Sequence, residues 1–120
     1  MKIIIAGSRN FSDYQFLKDK MDNFLKENNI ARESLEIVSG TARGADILGE
    51  RYATDNKIRL TKFPAKWNIY GKSAGFRRNE EMAEYADVSI VFCINNSAGS
   101  LHMHRTMKAK NKLSMIFHIW

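Results

Sequence analysis

Apolar positions along the chain follow two alternating patterns. Ile3-Ile4-Ile5-Ala6, Leu35 to Ser39, Val88 to Ile94 and Leu113 to Ile119 are short, largely apolar runs. Runs of this length predict strands, and the first, an unbroken apolar run stopped at Gly7, predicts one buried on both faces. Arg59 to Phe63 is a weaker strand, stopped by Pro64. Between the runs the spacing turns helical. Tyr14, Leu17, Met21, Phe24 and Leu25 share one face of a helix that ends near Asn28-Asn29. Ser12-x-x-Gln15 reads as its capping box. Ala42 to Asn56, with Ala45, Leu48, Tyr52 and Ala53 on one face, predicts a second helix. Ser73 to Tyr85 and Ser100 to Lys110 predict two more, with Gly75 a weak point, while residues 65–72 read as loop.

Strand and helix alternate four times before a closing strand. This order predicts an α/β fold, Rossmann-like and doubly wound, in a single domain over residues 1–120. Its sheet should have five mainly parallel strands with helices on both faces. Ligands of such sheets sit beyond the carboxyl ends of the strands. The informative segments are therefore the four loops that follow them, at 7–13, 40–46, 64–75 and 95–100.

Composition narrows the class. Hydrophobic residues make up 44% and charged residues 27%, so the chain should build a core. The single Cys excludes an internal disulfide and a Cys-based zinc site. No apolar run approaches the roughly 20 residues that span a bilayer, and residues 1–6 are too short for a secretory signal core. The expectation is a cytoplasmic protein with no membrane partner. The net charge is +6, and four of those charges sit in the acid-free segment after Asp87, on Arg105, Lys108, Lys110 and Lys112. That segment reads as a solvated helix face or as a nucleic-acid footprint.

The loops carry the candidate chemistry. In the first, Gly7 allows a sharp turn off the strand, and Ser8 and Arg9 suit an anion. The same residues also make an ordinary turn. The second loop reads Ser39-Gly40-Thr41-Ala42-Arg43-Gly44-Ala45-Asp46, with small residues, two hydroxyls and an Arg at a helix start. The first loop is not GxGxxG, and the second is not Walker A. Asp46 either complements the helix dipole, pairs with Arg43, or holds a ribose hydroxyl. In the third, Trp67 and Tyr70 either stack on a base or plug the sheet edge. Arg77, Arg78 and Asn79 follow near a helix start and suit a phosphate or ribose. The fourth ends in Gly99-Ser100. His102 and His104 follow it, and their spacing points them to different sides of a helix, so no metal site is expected.

Taken together, Gly7-Ser8-Arg9-Asn10-Phe11, Ser39 to Asp46, Phe63-Pro64-Ala65-x-Trp67 and Gly71-Lys72-x-Ala74-Gly75-x-x-Arg78-Asn79-x-x-Met82 resemble the small YspA/YpsA-related proteins of the SLOG superfamily. The resemblance runs from Lys2 to about Leu113. It implies a Rossmann-type fold that binds nucleotides or nucleotide-derived ligands. The superfamily includes the Lonely-guy phosphoribohydrolases and the DNA-processing protein Smf/DprA. Arg78-Asn79-Glu80-Glu81-Met82 is similar to the Lonely-guy Arg-Lys-x-x-Met segment, whose Arg serves catalysis. The Lonely-guy glycine-rich segment after the fourth strand ends in a catalytic Glu. Here Gly99-Ser100 resembles its Gly-Thr pair, and the Glu position falls on Met103. A thioether cannot act as a general acid or base.

The reading is a binding protein, a sensor or sequestering domain for an ADP-ribose-like, cyclic or other nucleotide. Gly7, Ser8, Arg9, Gly40, Thr41, Arg43, Gly44, Asp46, Trp67, Arg78, Asn79, Gly99 and Ser100 are the expected ligand-binding residues. No cofactor is implied. N-glycosidic cleavage is the alternative, with Arg78, Glu81 and His102 as catalytic candidates and Glu80 beside them. DNA binding is the third reading. A homo-oligomer is expected from the likeness to Lonely-guy enzymes and from Phe76, Tyr85 and Trp120.

Overall fold

The computed structural model describes residues 1–120. Five strands, β1 (Lys2–Gly7), β2 (Glu36–Ser39), β3 (Arg59–Lys62), β4 (Val88–Ile94) and β5 (Leu113–Ile119), form one sheet in the order β3-β2-β1-β4-β5. Every pairing is parallel. The longer helices are α1 (Tyr14–Glu27), α2 (Ala45–Asp55), α4 (Ala74–Tyr85) and α5 (Ala98–Ala109), with a single turn, α3 (Trp67–Tyr70), in the third loop.

Alternation along β1 divides the core in two. Ile3 and Ile5 pack with Leu17, Met21 and Phe24 of α1 and Tyr52 and Ala53 of α2. Ile4 and Ala6 pack on the other face with Met82 and Ala83 of α4 and Met103 and Met107 of α5. Ile3, Ile4 and Ile5 are all fully buried, which explains why β1 reads as an unbroken apolar run. No helix is long and apolar enough to cross a membrane.

Several boundaries differ from expectation. The α1 cap is Asp13, whose side chain accepts from the Phe16 N–H at 3.0 Å, so Ser12 lies one residue outside the cap. Helix α2 starts three residues after Ala42, because Gly44 adopts φ 78° and resets the chain direction. Helix α5 starts two residues before Ser100. Residues 67–73 are a helical turn followed by a 3₁₀ turn, where a loop was expected. Gly75 lies within α4, and a Cβ there would sit 3.4 Å from the Trp67 ring. The weak helix former thus marks close packing of the third loop on α4.

Candidate functional site

Strand order reverses between β1 and β4, and their carboxyl ends open there into the crevice such sheets use for ligands. The crevice is a cleft of about 430 Å³. Its floor begins at Ser8, 2% exposed, whose N–H donates to the Phe92 carbonyl at 2.9 Å. Ser8 Oγ accepts from the Ile94 N–H at 2.8 Å and shares a 2.6 Å hydrogen bond with Ser97 Oγ. Ser97 Oγ and Ser100 Oγ are also 2.6 Å apart. Three hydroxyls from the first and fourth loops therefore form one chain. Neither Ser97 at the start of α5 nor Ser73 at the start of α4 caps its helix through the side chain. The amides that open α5 remain donors beside the cleft, whereas the first amide of α4, that of Ala74, donates to the Gly71 carbonyl.

Asp46 and Arg78 hold the opposite wall. Asp46 is 4% exposed, and its Oδ2 accepts from the Ala42 N–H at 3.2 Å. Burial pushes its carboxyl up to about 6, against the pull of Arg78 and of the Ala42 and Gly7 N–H groups. Burial also lowers the Arg78 guanidinium, an effect that Asp46 opposes and Arg9 reinforces. Arg78 donates through Nη1 to the Gly40 carbonyl and through Nε to Asn79 Oδ1 at 3.0 Å. Asp46 thus faces Arg78, where the sequence had offered Arg43 as its partner. Asn79 Nδ2 lies 3.3 Å from the Gly99 carbonyl and 3.2 Å from His102 Nδ1. The His102 ring stacks on Phe76 at 4.3 Å, and burial lowers its pKa despite the charge of Glu80.

Of the expected ligand residues, Gly7, Ser8, Arg9, Asp46, Trp67, Arg78, Asn79, Gly99 and Ser100 line this cleft. Gly40, Thr41 and Arg43 line an adjoining groove of about 570 Å³, which shares Arg9, Ala42, Trp67 and Arg78 with the cleft. Thr41 sits at φ 64°, a costly conformation for a β-branched residue, with its N–H held by Ser39 Oγ at 3.1 Å. Gly44 faces neither cavity. A Cβ on it would lie 2.2 Å from the Ser8 carbonyl oxygen, so it supports the first loop from beneath.

Three of the candidate residues, Glu80, Glu81 and Arg77, lie away from the cleft. Glu81 and Glu80 line a separate surface groove with Glu84 and Lys110, away from the cleft. The phase of α4 explains this. Asn79 and Met82 face inward, which turns Glu80 and Glu81 to solvent. Arg77 points the same way, packing on the Tyr70 ring at 4.5 Å and donating to Ser73 Oγ. His102 and His104 diverge, His104 Nδ1 sharing a hydrogen bond with Ser114 Oγ. No group of three His, Cys, Asp or Glu side chains is arranged to hold a metal ion. Lys72, Phe76, Ser97 and Met103 also line the cleft. Ser97 was legible as the residue one helical turn before Ser100. Lys72 and Phe76 had no such signal, because they arrive through the unexpected turns of residues 67–73.

Residues 1–70 match the family model of YspA, cpYpsA-related SLOG proteins. The gene 61 protein of Mycobacterium phage D29 is 32% identical over 110 residues, covering 87% of this chain and 86% of that protein. The chain belongs to the YspA/cpYpsA-related SLOG family. This SLOG chain also superposes on the DNA processing protein A of Helicobacter pylori, a protein with a single-stranded DNA binding mode. The TM-score is 0.64 at 18% identity, over 97% of this chain and 64% of the other. DNA processing protein A (DprA) of Streptococcus pneumoniae gives a TM-score of 0.57 at 17% identity, over 93% and 57%. These two likenesses establish the fold, and the SLOG chain spans less than two thirds of either structure.

Proposed function

We propose that this SLOG domain binds a nucleotide or nucleotide-derived small molecule in the cleft between β1 and β4, as a sensor or sequestering protein. The carrying observation is the meeting of the Ser8–Ser97–Ser100 hydroxyl chain with Arg9, Lys72 and Arg78 in a cleft whose wall includes Trp67 and Phe76. Ser8 Oγ accepts from a backbone N–H, and the protons of the three linked hydroxyls are free to reorient toward an acceptor in the cleft. A phosphate oxygen is the acceptor that suits this set, and the arginines supply charge-assisted hydrogen bonds. The aromatic rings offer stacking surface for a base.

Binding without turnover fits better than N-glycosidic cleavage. Met103 stands where the Lonely-guy Glu would be, and Glu81 lies outside the cleft. Differential scanning fluorimetry with AMP, ADP, ADP-ribose and cyclic AMP, together with native mass spectrometry for a retained ligand, tests the proposal. A stabilising shift that Arg78→Ala removes is expected. No shift at millimolar ligand and no retained species would refute it. The fold shared with the single-stranded DNA-binding Helicobacter pylori protein favours nucleic acid as the second reading. Oligonucleotide binding would fall steeply with salt, whereas mononucleotide binding would change little.

A further inference from the structure

The cleft and the adjoining groove share one wall, made by Arg9, Ala42, Trp67 and Arg78. The two cavities therefore adjoin across these side chains. Their charges are one-sided. Arg9, Arg43, Lys72 and Arg78 face the combined site, and none of them takes part in an ion pair. The only carboxylate on either lining is Asp46, which is buried at the junction and held by backbone N–H groups. The hydroxyl chain lies at the cleft end, while Arg43 lies at the groove end. A lone mononucleotide phosphate would engage the first and leave Arg43 unused. The strained Thr41 backbone keeps the groove end open beside Gly40, where a Cβ would collide with Arg78 and Asp46.

Resting on the nucleotide reading above, we infer that the ligand spans both cavities. It is a diphosphate-linked nucleotide conjugate, with its nucleoside phosphate in the cleft and its second sugar or phosphate in the groove against Arg43. The Arg9 guanidinium, 5.9 Å over the Trp67 ring, sits at the crossing point and faces the linking diphosphate. Asp46 at the same junction suits a sugar hydroxyl as donor.

Isothermal titration calorimetry of the full chain with AMP, ADP-ribose and a short oligothymidylate tests this. Wild-type protein is expected to bind ADP-ribose at least about tenfold more tightly than AMP. Arg43→Ala, at an exposed position, is expected to weaken ADP-ribose roughly tenfold and AMP by several-fold less. Equal affinity for AMP and ADP-ribose would overturn the spanning ligand and leave the nucleotide reading standing. So would an Arg43→Ala effect that is the same for both. Failure of both nucleotides to bind would remove both inferences. Tighter, steeply salt-dependent binding of the oligothymidylate, sensitive to Arg43→Ala, would reassign the groove to nucleic acid.

Discussion

Replacing Asp46 by Asn isolates the energetic cost of the acid beneath the cleft. The Asp46 carboxyl is raised by burial to about 6, against an ordinary 3.8. An acid whose folded pKa is raised holds its proton longer in the folded state than in the unfolded state. Folding stability from this group is therefore full below about 3.8 and is lost as pH rises through about 6. At about 1.4 kcal/mol per pH unit, the loss is about 3 kcal/mol. Asn has no charge to desolvate and keeps an oxygen for the Ala42 N–H. Urea unfolding of wild type and Asp46→Asn at fixed temperature, from pH 3.5 to 7.5, gives the stability difference at each pH. That difference should move by about 3 kcal/mol in favour of Asp46→Asn across the interval, a relative midpoint shift of roughly 1–3 M urea. The attraction of Arg78 for the ionised carboxylate is already contained in the raised value of about 6, so it adds no separate contribution to the pH dependence. A difference that is flat between pH 4 and 7 would refute the account of Asp46 as a buried acid with a raised pKa. Nucleotide binding should couple to the same titration, because the carboxylate sits beside the proposed diphosphate.

Gly44→Ala forces a Cβ toward the Ser8 carbonyl at φ 78°, and urea unfolding should show a loss of at least about 2 kcal/mol with no change in slope. Tyr52→Phe removes the 2.6 Å hydrogen bond from Tyr52 Oη to Asp22. Burial raises Asp22, but Tyr52 and Lys18 outweigh it and hold the carboxyl below its ordinary range, so NMR titration should show it rising in the variant. Lys112 Nζ donates to the carbonyls of Ala83, Glu84 and Ala86 at the end of α4. Lys112→Met should cost about 1–3 kcal/mol and speed amide exchange in the last turn of α4, and unchanged exchange there would contradict a capping role.

The sheet was legible because its inner strands β1, β2 and β4 are buried, and β5 keeps an apolar run although it lies at the edge. Val88–Ile94 and Leu113–Ile119 match the expected bounds, and the helical spacing of α1 follows the residues that face Ile3 and Ile5. Boundaries failed where side-chain chemistry decides between neighbours. Asp13 and Ser12 are both good caps, and only the approach to the Phe16 N–H selects one. The candidate site was legible as loops but not as orientations. Glu80 and Glu81 sit two and three residues from Arg78 in sequence, yet the helical phase that buries Asn79 sends them to the far side. The Asp46–Arg78 coupling joins the second loop to a helix 32 positions later, and no local pattern announces a contact of that span. Lys72 and Phe76 depend on turns that short polar stretches do not advertise.

The Ser8–Ser97 hydrogen bond ties positions 89 residues apart, and β1 lies between β2 and β4 in the sheet. As the chain leaves the ribosome, β1, β2 and β3 can pair with only the first 62 residues made. The other edge of β1, whose Ile3, Ile4 and Ile5 are fully buried in the finished protein, then waits for β4. High contact order of this kind slows folding and leaves an adhesive strand edge exposed during synthesis. Cleft assembly is consequently a late event, and a nascent chain shorter than about 100 residues should hold no nucleotide. A ligand that seals the β1–β4 junction would act on newly made protein by trapping this final closure, in addition to occupying the mature site.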